Sequence, residues 1–338
     1  MLTENLYSIL ESEAQQFTGL SFTAEEIERC RTDPDHALVL GMPSNVNCNL
    51  WCKFCFTDTH NNRRPQLSLE RRMKLLDEAE EVGIRTIITG GSGEPFSDRD
   101  FETILASATS RGFRYIIFTN LTLITPKRAQ WLRSLDNVGI FGSAHSLDSS
   151  VYEGITQMPG SFERMMRGAH NLLDAGFSTR DFAVTTVVCR SNAHEIDDIV
   201  TYWGERGIMV YPEYCNITGY AEGFRDELYF PYDEFLALRR DLGERHPGYR
   251  AEAPLVTDSR KCFTGEYAVI VSINGDVKTC FDGGEKGYLG NINDMTLQEA
   301  VRLKYANPCF CKGYDHCLNR NLFLVQLEKS PSARLAKA

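Results

Sequence analysis

The sequence predicts an α/β protein made of repeated strand–helix units, followed by a smaller cysteine-rich segment. Three observations predict it: six short runs rich in Val, Ile, Phe, Tyr and Thr between residues 36 and 215, apolar residues at helical spacing between those runs, and a loss of the pattern after residue 230. Near-continuous apolar strands suit a sheet buried on both faces. Their alternation with helices makes the sheet parallel, with right-handed crossovers. Such a sheet is either an open barrel or doubly wound. Both architectures place chemistry at the C-terminal ends of the strands.

The elements follow in order. Residues 1–35 read as an N-terminal helical extension. The six strands lie in HALVLGMP (36–43), RTIITGG (85–91), RYIIFTN (114–120), VGIFGSAHS (138–146), DFAVTTVVC (181–189) and IMVYPEYC (208–215). In SLERRMKLLDEAEEVG (68–83), Leu69, Met73, Leu76 and Ala79 share a helical face, with Ser68 as cap and Gly83 as stop. In SFERMMRGAHNLLDAG (161–176), Phe162, Met165, Met166, Ala169, Leu172 and Leu173 form the apolar face. PYDEFLALRRDLGERH (231–246) is one more helix, and a boundary near 250 closes the repeated unit at 36–250. Residues 251–320 hold one hairpin, YAVIVSINGDVKTC, where Asn274-Gly275 signals a two-residue turn. A basic tail occupies 321–338.

Composition narrows the function classes. With 36 basic and 46 acidic side chains the net charge is −10, which argues against a nucleic-acid partner. An apolar share of 42% and a charged share of 24% are those of a globular protein, so disorder and collagen are excluded. No run of 18 apolar residues exists, so no membrane partner is expected, and the N-terminus lacks the basic start and apolar block of a signal peptide. A cytoplasmic location follows as the expectation, and in a reducing compartment clustered cysteines read as metal sites before disulfides. Eight of the 11 cysteines fall into two groups, 48–55 and 262–317.

The first group is Cys48-x3-Cys52-x2-Cys55 in NVNCNLWCKFCF (45–56), directly after the first strand. Three cysteines on one loop leave one iron of a [4Fe–4S] cluster without a protein ligand, as a catalytic centre requires. A zinc loop completed by His60 is the competing reading. With Phe54 just before the last cysteine, this loop resembles the signature of radical S-adenosylmethionine (radical SAM) enzymes. The resemblance implies a partial (β/α)6 TIM-like barrel, SAM chelating the open iron, and a 5′-deoxyadenosyl radical that abstracts hydrogen from substrate. Phe54 then belongs to the cofactor-binding set. It also implies a flavodoxin- or ferredoxin-type reductant, for which Lys53, Arg63 and Arg64 offer a basic patch.

Further positions carry the same resemblance. In TGGSGEPF (89–96), glycines let backbone approach a ligand and Glu94 can accept from an ammonium group. The family's GGE-type motif maps onto Gly91, Gly93 and Glu94, with Ser92 inserted. Asn120 ends the third strand and Ser146 the fourth. The family uses polar groups there for ribose or methionine carboxylate, whereas Asp148 suits a helix cap. Arg190, after the fifth strand, is a candidate partner for the SAM carboxylate.

The second group resembles the SPASM/twitch auxiliary-cluster domain. Cys262-x12-Gly275-x4-Cys280 fits its opening, and Cys309-x-Cys311-x5-Cys317 keeps part of its remainder. Five cysteines complete one auxiliary [4Fe–4S] cluster and cannot fill two. The expected ligands are Cys262, Cys280 and two of Cys309, Cys311 and Cys317, in a small α+β iron–sulfur domain. A zinc knuckle using His316 is the alternative.

Of the other cysteines, Cys30 reads as a packing thiol. Cys189 and Cys215 end the fifth and sixth strands, where a thiol could return hydrogen to a substrate radical, although packing explains either. His145 and Glu213, also at strand ends, are candidates for a substrate base or hydrogen-bonding group. The resemblance therefore implies a radical SAM oxidoreductase or epimerase. Only 47 residues precede Cys48, which leans the expectation toward a small-molecule substrate, a sugar, aminocyclitol or aminoglycoside-type intermediate of antibiotic biosynthesis. The alternatives are a maturase acting on a ribosomally made peptide and a non-catalytic iron–sulfur electron-transfer or redox-sensing protein.

Overall fold

The computed structural model describes residues 21–42, 47–56, 65–90, 92–246, 267–280, 287–307 and 326–327. Its six expected strands are β2 (Val39–Gly41), β3 (Thr86–Thr89), β4 (Arg114–Thr119), β5 (Val138–Ser143), β6 (Phe182–Val188) and β7 (Val210–Tyr214). They pair side by side in chain order and all run parallel, with Ile88 opposite Ile116 and Ile117 opposite Ile140. The linking helices are α2 (Leu69–Glu81), α3 (Phe101–Ser110), α4 (Pro126–Arg133), α5 (Ser149–Thr156), α6 (Ser161–Asp174) and α7 (Ile196–Gly204). After β7 come a short α8 (Arg225–Leu228) and α9 (Tyr232–Arg245). This is a partial barrel: β7 ends the sheet, and the far side of β2 is taken by another strand.

Alternation along the strands separates two apolar layers. Leu40, Ile87, Ile117, Ile140 and Val184 face the helices and pack with Leu75, Leu76, Ile104, Met165 and Trp203. Val39, Ile88, Ile116, Phe141 and Ala183 form the inner layer. α1 (Ala24–Thr32) adds Ile27 and Cys30 to that inner layer. Its Glu26 pairs with Arg85, which immediately precedes β3, so α1 closes the N-terminal end of the barrel. Cys30 is a core thiol there, as expected.

The α2 face differs from the simple apolar stripe. Ser68 caps the helix by accepting from the Arg71 N–H (3.2 Å), but Leu69 and Met73 are only partly buried. Arg72 and Glu78 are buried in their place. Arg72 is held by Asp98 (2.5 Å) and Asp100 (3.0 Å), which offsets the cost of burying its charge. At the end of α2, Gly83 has φ +83°, and a Cβ there would lie 2.2 Å from the His36 ring.

After residues 247–266, which lie outside the described part and include the expected boundary, β8 (Ala268–Val271) runs parallel beside β2. It turns into antiparallel β9 (Asp276–Lys278), which pairs with β10 (Tyr288–Asn291), and α10 (Leu297–Ala306) follows. The hairpin continues the barrel sheet rather than starting a new one. Its turn is longer than Asn274-Gly275 predicts: Ser272 and Asp276 pair through a 2.8 Å bond, leaving a loop of three residues with Gly275 at φ +89°. A left-handed glycine closing a three-residue loop is the bulged alternative to the two-residue turn. β1 (Ser21–Phe22) pairs with β11 (Gln326–Leu327) apart from this sheet.

Candidate active site

The loop carrying Cys48, Cys52 and Cys55 is held by backbone bonds from across the barrel. Trp51 N–H donates to the Thr156 carbonyl (3.0 Å) and Lys53 N–H to that of Ile155 (2.9 Å), both at the end of α5. On its other flank, Ala221 N–H donates to the Cys55 carbonyl (3.3 Å). Gly219, at φ +60°, presses so close that a Cβ would stand 2.3 Å from the Phe56 carbonyl oxygen. Lys53 itself pairs with Glu227 (2.6 Å), while Arg63 and Arg64 of the expected basic patch lie outside the described residues.

All three thiols line one cavity of about 220 Å³ at the C-terminal ends of the strands, together with Phe54, Gly93, Glu94, Asn120, His145 and Glu213. Burial pushes the Cys48 thiol up to about 11 and the Cys52 thiol well above its ordinary range. Such thiols ionise on binding metal, so the donor set fits a cluster whose corners they would share. Among the described residues no three thiol, imidazole or carboxyl groups come together as a ready-made site for a single ion.

Glu94 follows β3 and is buried, and its carboxyl is engaged by three donors. Oε1 accepts from Thr119 Oγ1 (2.7 Å) and Phe96 N–H (3.2 Å), and Oε2 from Asn120 N–H (2.8 Å). Burial lifts its pKa to about 7 against the pull of those donors. Gly93, at φ +66°, makes the turn that aims it; Gly91 lies outside the described residues. Asn120 Nδ2 donates to Asn49 (2.9 Å) and to the Cys48 sulfur (3.8 Å), so the end of β4 is tied to the cysteine loop.

His145 is buried edge-on to Phe54, ring centroids 4.6 Å apart. Its Nδ1 accepts from Val187 N–H (3.2 Å), which places the ring proton on Nε2. Burial drops its pKa to about 3, so it stays neutral and offers a donor rather than a base at ordinary pH. Glu213 lines the cavity with Oε1 fully buried and without a hydrogen-bond partner among the described residues. Its burial raises the carboxyl pKa to about 8.

Several sequence-predicted positions fall elsewhere. The Ser146 hydroxyl donates to Glu195 (2.7 Å), a buried carboxylate that also takes the Leu147 N–H, so Ser146 serves the loop and does not line the cavity. Ser143 and Thr185, register partners on β5 and β6, line it instead. Their inward strand position was the available signal. Asp148 caps α5, accepting from Ser150 N–H (2.7 Å) and Val151 N–H (3.2 Å). Arg190 is exposed, its Nε bonded to the Tyr229 carbonyl (3.1 Å). Cys215 and Cys189 are buried in an apolar cluster with Ala221 and Leu228, and neither lines the cavity. Of the second cysteine group, Cys280 is buried just after β9; Cys262, Cys309, Cys311 and Cys317 lie outside the described residues.

Residues 42–202 match the model of the Radical SAM superfamily. The chain is similar to the AdoMet-dependent heme synthase of Nitratidesulfovibrio vulgaris, 32% identical over 54% of this chain and 49% of that protein. It is also similar to the mycofactocin maturase MftC of Mycolicibacterium smegmatis, 28% identical over 79% of this chain and 70% of that protein. Streptococcus suis SuiB, solved bound to precursor peptide SuiA, has a TM-score of 0.64 and 19% identity, covering 79% of this chain and 65% of that one. That likeness is one of fold. The chain spans about half, or less, of the length of the heme synthases it matches.

Proposed function

The chain belongs to the radical SAM superfamily through residues 42–202, and from that premise we propose that it is a maturase that removes hydrogen from a C–H bond of a peptide. When bound, a [4Fe–4S] cluster with SAM supplies the one-electron chemistry that yields the hydrogen-abstracting adenosyl radical. The protein's part is to hold and aim. The observation that carries the reading is the convergence of Cys48, Cys52, Cys55 and Glu94 on one cavity at the strand ends. The thiols would hold three irons. Glu94, already accepting three donors, would receive the SAM amine in addition, and Phe54, Gly93 and Asn120 would line the cofactor.

Two findings favour a peptide over the sugar-type metabolite that the sequence suggested. The alignment with mycofactocin maturase runs across 79% of the chain, past the barrel. The fold is shared with a protein solved in complex with a precursor peptide. Under this reading residues 36–250 are the barrel, and residues 251–320 form the auxiliary-cluster domain with Cys262, Cys280 and two of Cys309, Cys311 and Cys317 as ligands.

The test is anaerobic reconstitution, reduction with dithionite and addition of SAM with deuterated substrates. Short peptides encoded beside the gene should pass deuterium into 5′-deoxyadenosine, and aminocyclitols should not. The converse result removes the peptide reading. A protein that yields no 5′-deoxyadenosine removes the catalytic one. Iron should approach about eight per chain and fall to about four when Cys48, Cys52 and Cys55 are all replaced by Ala.

A further inference from the structure

Among the described residues, the cavity is lined by one carboxyl that the cofactor reading leaves unused. We infer that Glu213 anchors a cationic nitrogen of the substrate, an amine or guanidinium; the inference rests on the peptide-modifying reading above.

The two cavity carboxyls differ in their partners. Glu94 accepts three hydrogen bonds from its own surroundings. Glu213, at the end of β7, has Oε1 sealed from solvent with no hydrogen-bond partner among the described residues. Around it stand Val187, its register partner on β6, with Thr185, Tyr214 and the neutral His145 in the same cavity wall. Among the described residues, the other titratable groups lining the cavity are Glu94 and the three thiols, and no lysine or arginine lines it.

A buried acid without a donor weakens a fold, and such groups concentrate where a ligand supplies the missing partner. The aromatic walls, Phe54, Phe56 and Phe118 among them, would pack the stem of a long side chain and suit a cation. Burial also keeps the empty carboxyl protonated near neutral pH, so an entering cation displaces a proton. Affinity for that cation should therefore rise with pH through about 8, until the ligand amine itself deprotonates.

The experiment uses the full chain, cluster-loaded and saturated with SAM, under argon. Two blocked tripeptides serve as probes, acetyl-Gly-Lys-Gly-amide and its norleucine isostere, with glucosamine as a non-peptide amine. Equilibrium dialysis should show the lysine probe binding at least about tenfold tighter than the isostere. That preference should vanish in Glu213→Gln and survive in part in Glu213→Asp, while SAM affinity stays within about twofold in both. Equal or absent binding of the two tripeptides by the native protein overturns the inference. So does a preference that survives Glu213→Gln, or a collapse of SAM affinity, which would place Glu213 on the cofactor. Glucosamine binding as tightly as the lysine probe, with the same dependence on Glu213, supports the anchor and removes the peptide reading.

Discussion

Replacing Glu213 with Gln should change how the protein's stability depends on pH. The carboxyl titrates ordinarily near 4.5 and in the fold near 8, because burial penalises its charged form. Between those values the native state keeps a proton that the unfolded chain has released. The group's contribution is thus fully present below about 4.5 and is lost as pH rises through about 8. At about 1.4 kcal/mol per unit, the loss reaches about 3 kcal/mol at neutrality and about 5 kcal/mol in the alkaline limit. The amide that replaces the carboxyl in Glu213→Gln cannot ionise and lacks this slope. Melting scans of the cluster-loaded protein under argon, at three pH values from about 5.5 to 8.5, isolate it, since Glu94, His145 and the thiols are common to both proteins. The midpoint gap in favour of the variant should widen by about 4 °C across that range, taking the usual unfolding entropy per residue. A gap that stays constant within about 1 °C would mean the carboxyl is solvated, and the reasoning from burial would be wrong.

Three other substitutions probe the site. Glu94→Gln turns an amide N–H₂ toward groups that already donate, and should weaken SAM binding at least about tenfold; Thr119→Val removes one donor and should cost only a few-fold, both read by dialysis with labelled SAM. Gly219→Ala drives a methyl into the Phe56 carbonyl, so it should lower iron incorporation as well as the melting midpoint, and normal iron content would refute the clamp. Cys215→Ala removes a packed thiol and should cost on the order of 1 kcal/mol of stability while leaving product stereochemistry unchanged. A stereochemical change would restore Cys215 as a hydrogen donor.

The strands and the cysteine loop were legible because their signals are local. β-branched runs such as those at 85–91 and 181–189 specify strands wherever they sit, and three cysteines in eight residues need no tertiary information. The place of Glu94 in the cavity lining was legible through its glycine-flanked turn. Ser146 misled because a strand-end hydroxyl looks the same whether it meets a ligand or Glu195, 49 residues further on. Arg190 misled likewise, since its direction is set by Tyr229 in a later segment. The α2 face was misread because Arg72 is buried only by virtue of Asp98 and Asp100, partners that a helical periodicity does not contain. Long-range polar pairing was the part that spacing could not show.

The clamp ties the segment after β7 to the cysteine loop after β2. A loop with three thiols aimed at one cavity gains little from its own sequence to hold that geometry: a backbone bond within it runs from Cys55 N–H to the Cys52 carbonyl. Order is imported from the end of α5 through Thr156 and Ile155, and from the segment after β7 through Ala221 and Gly219. That second segment begins directly beyond β7, whose Glu213 and Tyr214 line the same cavity. On the reading proposed above, a substrate seated against β7 and the cysteine loop would share one rigid support. Positioning tolerances for hydrogen abstraction are tight, since small misplacements cost large factors in rate. Ala221→Val, a milder disturbance than a methyl at Gly219, should accordingly uncouple SAM cleavage from substrate modification, raising 5′-deoxyadenosine formed per product in a protein that still carries its iron. Proportional loss of both would instead assign the segment to stability alone.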